Sequence, residues 1–130
     1  MKDARSSKMS AWALWLQVLC MLGQHRAVHA RGAEAWSWAF EIGSMLSQLA
    51  DYLFFWGISA AELANDAPLR ERLRYRSVLR RCLRQLRIWA RDGPDFVHMV
   101  QALETERARL RGDVQSALTG YAQVSESAAQ

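Results

Sequence analysis

The sequence predicts an all-α fold of about six antiparallel helices stacked as hairpins, and three observations predict it. Ala and Leu dominate while Val, Ile and Thr are scarce, a balance that favours helix over strand. Apolar residues recur at spacings of three and four between Gly and Pro breaks. No run alternates apolar and polar residues between turn signals, so no strand is expected. With 130 residues, 51% of them hydrophobic, the chain can bury a core as one domain. Residues 1–8 read as a flexible, polar N-terminus. Residues 9–130 read as a single helical-repeat-like domain, expected to be a fragment of a longer array.

From Ser10 onward, Trp12, Trp15, Leu16, Leu19 and Leu22 define one helical face, ended by Gly23. A second helix is expected from Arg26 to about Ile42, carrying Trp36, Trp38 and Phe40 and closed by Gly43-Ser44. The third should run from about Leu46 to Ala64. Leu46, Leu49, Ala50, Leu53, Ala60, Ala61 and Ala64 form its inner stripe, but Phe54, Phe55 and Trp56 make it apolar on several sides. Such a helix is expected at the centre of the fold. Asn65-Asp66-Ala67-Pro68 breaks the chain, with Asp66 a candidate N-cap. The fourth helix, about 68–91, has a seam of Tyr75, Leu79, Cys82, Leu86 and Trp89. Asp92-Gly93-Pro94-Asp95 breaks the chain again and starts a fifth helix, with Phe96, Val100, Leu103 and Leu110 inward. Gly112-Asp113 makes a tight joint, and a sixth helix follows from Val114.

Lys2, Arg5 and Lys8 precede an apolar stretch from Met9 to Leu22, and Val28-His29-Ala30 has the outline of a cleavage site. That is the shape of a signal peptide, which would make the protein secreted if residues 1–30 act as one. Ser10 and Gln17 interrupt the stretch, and its apolar residues fall on a helical face. A cytoplasmic protein is therefore the expectation. The stretch is too short to span a bilayer. Cys20 and Cys82 are too far apart in sequence for a zinc motif and too few for a disulfide framework; they read as small hydrophobes.

No catalytic chemistry is legible. The chain has no Gly-rich phosphate loop, Cys-x-x-Cys, His-Glu-x-x-His or Gly-x-Ser-x-Gly. Glu104 and Glu106, two apart, point to different sides of a helix. His25 and His29, four apart, could share a metal, but no third ligand is obvious. The expectation is a non-enzyme with no catalytic, cofactor-binding or metal residues, and no cofactor.

The informative motif runs from Arg109-Leu110-Arg111-Gly112-Asp113 through Ala117-Leu118 to Tyr121. A Gly-Asp joint, Ala-Leu four residues beyond the Asp and then an aromatic resemble the middle of a tetratricopeptide repeat. In that pattern Gly112 permits the turn, Ala117 lets two helices approach closely and Tyr121 fills the space above. Leu22-Gly23-Gln24-His25-Arg26-Ala27 is a shorter echo. Trp89 to His98 and Leu103 to Asp113 together resemble the helical-repeat region of large bacterial signalling proteins, and Asp51 to Phe55 resembles an aromatic element upstream of it. Those proteins join a serine/threonine-kinase-like domain, an ATPase, a GAF sensor and a histidine kinase. The match is best over residues 86–121. It implies tetratricopeptide-like hairpins and a connector that binds a protein partner or neighbouring domains of a larger signalling protein. None of the family's catalytic motifs is present. Thr105 stands where the family has alanine, and Asp95-Phe96 lacks its usual asparagine.

Two surfaces are candidates. The first lies in the aromatic band Trp36, Trp38, Tyr52, Phe54, Phe55 and Trp56, most of it expected in the core, with part of it and Trp12 expected to meet a protein partner or a second copy. The second lies on the fourth helix, where Arg76, Arg80, Arg81, Arg84 and Arg87 belong to a run with few local acids. The chain's net charge of +4 is concentrated in its second half. A run of this kind could bind nucleic acid or an anionic membrane surface. Arginine outnumbers lysine fifteen to two, which points to genome composition, and no nucleic-acid motif accompanies the run. A solvated helix face is the preferred reading, with nucleic acid and membrane set below protein as partners.

Overall fold

The computed structural model describes residues 2–40, 46–112 and 114–129, with side chains for 8–40, 46–112 and 119–126. Among the described residues there are six α-helices and no strand. They are α1 (Lys2–Met21), α2 (His25–Trp36), α3 (Leu46–Asp66), α4 (Leu69–Ala90), α5 (Val97–Leu110) and α6 (Val114–Ala129). A single 3-10 turn, Pro94–Phe96, leads into α5.

The helices form an all-α bundle of stacked hairpins around α3. That helix packs against α1, α2, α4 and α5, while α6 packs on α5. Its sequence explains the position. Leu49, Leu53, Ala60, Ala61 and Ala64 are buried as expected, and Tyr52, Trp56, Gly57 and Ser59 are buried as well, so α3 meets neighbours on more than one side. From α4, Val78, Leu79, Cys82, Leu83 and Leu86 complete the core. Tyr75 and Trp89, at the ends of the expected seam, are half-buried.

Where α2 crosses α3, the backbone comes unusually close. A Cβ on Gly32 would lie 2.4 Å from Trp56 Cδ1, so only glycine admits the indole there. The Tyr52 hydroxyl donates a 2.7 Å hydrogen bond to the Gly32 carbonyl, and its ring stacks on Trp56 with centroids 5.6 Å apart. The two tight joints are built alike. Gly23 and Gly112 take φ of 77° and 79°, the left-handed conformation that ends a helix with least strain on glycine.

Several boundaries differ from the sequence reading, each for a local reason. Helix α1 begins at Lys2, not near Ser10, because Ala4, Arg5 and Lys8 are good helix formers and neither Gly nor Pro interrupts 2–21. Helix α2 ends at Trp36. The Ser37 hydroxyl takes the Glu34 carbonyl at 3.0 Å, and residues 37–40 form turns on the Ala35 carbonyl. Gly43 and Ser44, expected to close that helix, lie outside the described residues. Asp66 is not the N-cap of α4 but the last residue of α3. Pro68 takes the N-cap position with extended ψ, and its carbonyl accepts the Arg72 amide at 2.8 Å.

Candidate functional site

The aromatic band does not form one surface. Trp56 is 1% exposed and belongs to the interior, held by Tyr52 on one side and Gly32 on the other; its Nε1 has no partner among the described residues. Trp12, Trp36, Trp38, Phe54 and Phe55 are half-buried and pack against the core. Trp12 meets Trp15 and Trp38 edge-on at 5.5 and 5.3 Å, and its Nε1 donates to the Arg31 carbonyl at 3.2 Å. Lys8 lies 4.3 Å over the Trp38 ring and Arg31 lies 5.0 Å over Trp15. The cations cover aromatic faces that the core leaves open.

Among the described residues, exposed large apolar side chains cluster on the outside of α1, while Phe40, Leu46, Leu69, Leu73, Ile88 and Tyr121 are exposed elsewhere. Leu14, Trp15, Val18, Met21 and Leu22 are all exposed, with Leu14 at 61%, Met21 at 77% and Leu22 at 68%. Their spacing, together with exposed Ala11, is three, one, three, three, one, a two-heptad stripe. Met9, Ala13 and Leu16 are buried on the opposite side. Thus α1 is apolar on two faces. The sequence reading merged them by placing Trp15 and Leu22 with Leu16 and Leu19. The overlooked signal was the remainder: Leu14, Val18 and Met21 are spaced four and three.

The arginines of α4 divide in the same residue-by-residue way. Arg76 Nη2 donates to the Leu110 carbonyl at 2.9 Å, capping the end of α5. Arg87 pairs with Glu104 at 2.9 Å, and Arg81 lies 4.8 Å over the Trp36 ring. Arg80 and Arg84 are exposed. The run is therefore not one free basic face. Two further arginines, Arg107 and Arg111, approach it from α5. With Arg76 and Arg80 they line a cleft of about 180 Å³ whose other walls are Leu73, Leu79 and Leu110. Sequence reading could not place them together, because they belong to a different helix. Their four-residue spacing, opposite the four-residue spacing of Arg76 and Arg80, was the available signal.

At the repeat-like joint, Gly112 makes the expected turn, while Asp113 and the side chain of Ala117 lie outside the described side chains. Tyr121 is a polar tie. Its hydroxyl donates to Glu106 Oε1 at 2.7 Å. Glu106, 9% exposed, also accepts from Arg109, whose guanidinium reaches Asn65 at 3.0 Å and Glu62 at 3.4 Å. One buried carboxylate thereby links α3, α5 and α6. Burial, reinforced by the Glu106 hydrogen bond, raises the Tyr121 pKa.

His25 Nδ1 and the Ser59 hydroxyl share a 2.9 Å hydrogen bond, and His29 packs edge-on against Tyr75 at 4.9 Å. Burial, followed by the charge of Arg74, lowers the His29 pKa. Among the described residues no three His, Cys, Asp or Glu side chains come together at metal-binding distance. The Cys82 thiol is fully buried, and burial pushes its pKa well up, so it packs as a hydrophobe. Cys20 is half-buried, and both cysteines are free. Among the described residues no helix is long and apolar enough to cross a membrane.

What the fold defines is an all-α bundle of helical hairpins. No family model matches the chain, and no curated protein or solved structure matches it either.

Proposed function

We propose that this chain is a non-catalytic protein-interaction module that works through the outer face of α1, pairing there with the same face of a second copy. The observation that carries the reading is the stripe Leu14, Trp15, Val18, Met21 and Leu22, exposed on a helix whose other face is already in the core. A two-fold antiparallel pairing centred on Val18 sets Leu14 against Leu22 and Trp15 against Met21, every pair apolar. No charge lies within the stripe to oppose the pairing. Twelve residues of helix span about 18 Å. A contact of that length falls short of the roughly 800 Å² per partner of a standard interface. The association is therefore reversible and concentration-dependent.

This reading also treats α1 as a permanent part of a cytoplasmic protein, since Met9, Ala13 and Leu16 supply core volume that cleavage would remove. The wider role, a connector in a multidomain signalling protein, is proposed on the resemblance of residues 86–121 and on the Gly112 turn. Light scattering across a concentration series tests the pairing. The wild type should shift from monomer to dimer, and Val18→Glu should remain monomeric with unchanged helicity. A wild type that stays monomeric at every concentration would refute the pairing.

A further inference from the structure

We propose that Arg76, Arg80, Arg107 and Arg111 form a binding cleft for the phosphate group of a small phosphorylated ligand. The cleft holds four guanidinium groups in about 180 Å³, and among the described residues no carboxylate lines it. Arg76 and Arg80 are one turn apart on α4, and Arg107 lies on α5 one turn before Arg111, which caps its end. Like charges at that spacing repel, and here two such pairs face each other. The nearest acid acting on Arg107 is Glu104, already paired with Arg87 at 2.9 Å. Arg76 is held in place by its hydrogen bond to the Leu110 carbonyl and keeps further donors for a ligand. Burial, then the charges of Arg87 and Arg111, lowers the Arg107 pKa, against the smaller opposing pull of Glu104.

Planar guanidinium forks suit the oxygens of a phosphate, which can accept from several at once. Buried Leu79 and half-buried Leu110 keep water from one side, which strengthens each of those contacts. A concave, leucine-walled cleft of this size fits one phosphate group with a small apolar remainder. It does not follow the spaced phosphates of a duplex.

The test is thermal unfolding of the full chain in inorganic phosphate against chloride at equal ionic strength. Wild type should melt about 4 °C higher at phosphate ten times above its dissociation constant. Arg107→Gln and Arg80→Gln should lose that response. Because each relieves repulsion, both should melt at or above wild type in chloride, a gain that a merely structural arginine would not give. Arg84→Gln, which removes the same charge from α4 outside the cleft, should keep the full response. Pelleting with phosphatidylcholine vesicles, with and without phosphatidic acid, identifies the carrier. Phosphatidic-acid-dependent pelleting lost in Arg107→Gln assigns the phosphate to a lipid headgroup. A response to inorganic phosphate without pelleting assigns it to a soluble ligand. No response in either assay, or equal loss in Arg84→Gln, overturns the proposal. Binding confined to duplex DNA overturns it too.

Discussion

In the first three helices, apolar side chains exceed the room the core provides; where α4 meets α5, guanidinium groups exceed the carboxylates that face them. The two regions handle their surplus differently. In the first, Trp56 and Tyr52 fill the interior against Gly32, Trp12 and Trp38 are half-covered, and Lys8 and Arg31 lie over aromatic rings. The stripe from Leu14 to Leu22 is left facing water. In the second, Arg87 takes Glu104, Arg109 takes Glu106 and Arg76 takes a helix end. Arg80, Arg107 and Arg111 remain around a cleft with Arg76. What each region leaves unpaired after its internal contacts are made is where we propose that a partner fits, with the chemistry of the remainder choosing the kind. Apolar excess points to a protein surface, and cationic excess to an anion.

The comparison can be broken hardest in the aromatic half. Gly32→Ala places a methyl group against a buried indole ring that has no room to move. It should cost about 3 kcal/mol, read as a lower midpoint in urea unfolding. If stability is unchanged, the α2–α3 crossing is looser than described. The polar half should yield less to a single change. Glu106→Ala removes the buried carboxylate that ties Tyr121 to Arg109, though the hydroxyl of exposed Tyr121 can turn to water and Arg109 keeps Glu62 and Asn65. A loss of about 1 kcal/mol is expected, with protection of α6 amides from hydrogen exchange falling first. A loss confined to α1 or α2 would contradict the link through Glu106.

The smallest effect sits where the halves meet, at His29 of α2 against Tyr75 of α4. Its folded pKa is depressed below the usual 6.5, so the neutral ring is the one the fold prefers. That preference stabilises the protein above about pH 6.5 and is lost as pH falls through the folded value. Stability should decline as pH falls through that range, and His29→Phe should remove that part of the slope. Equal slopes in both proteins would place the acid sensitivity elsewhere.

The helices were readable because Gly23, Pro68, Gly93-Pro94 and Gly112 punctuate stretches with clear three-and-four spacing. The central place of α3 was readable too, because residues apolar on all sides have to be enclosed. The sites were less so. Which part of the aromatic band is enclosed was not readable, because an aromatic such as Trp56 in a crowded run carries no sign of which neighbour covers it. That neighbour, Gly32, is twenty-four positions away and matters for what it lacks. The arginine cleft depends on the alignment of α4 with α5, which no single-helix pattern contains. The outer face of α1 was hidden because a helix with two apolar faces reads as one broad face. Tyr121 was expected to fill space at the joint, but its hydroxyl also binds a carboxylate fifteen residues earlier, which spacing alone does not show.

The central claim, that the outer face of α1 meets its own copy about Val18, is tested most directly by cross-linking. Val18→Cys, in a Cys20→Ser background, is treated with a short bismaleimide, leaving the buried Cys82 unreacted. The pairing predicts a covalent dimer that disappears when Leu14→Glu is added, while Arg84→Cys in the same background stays monomeric. Equal cross-linking of Val18→Cys and Arg84→Cys, or none with Val18→Cys, would contradict it.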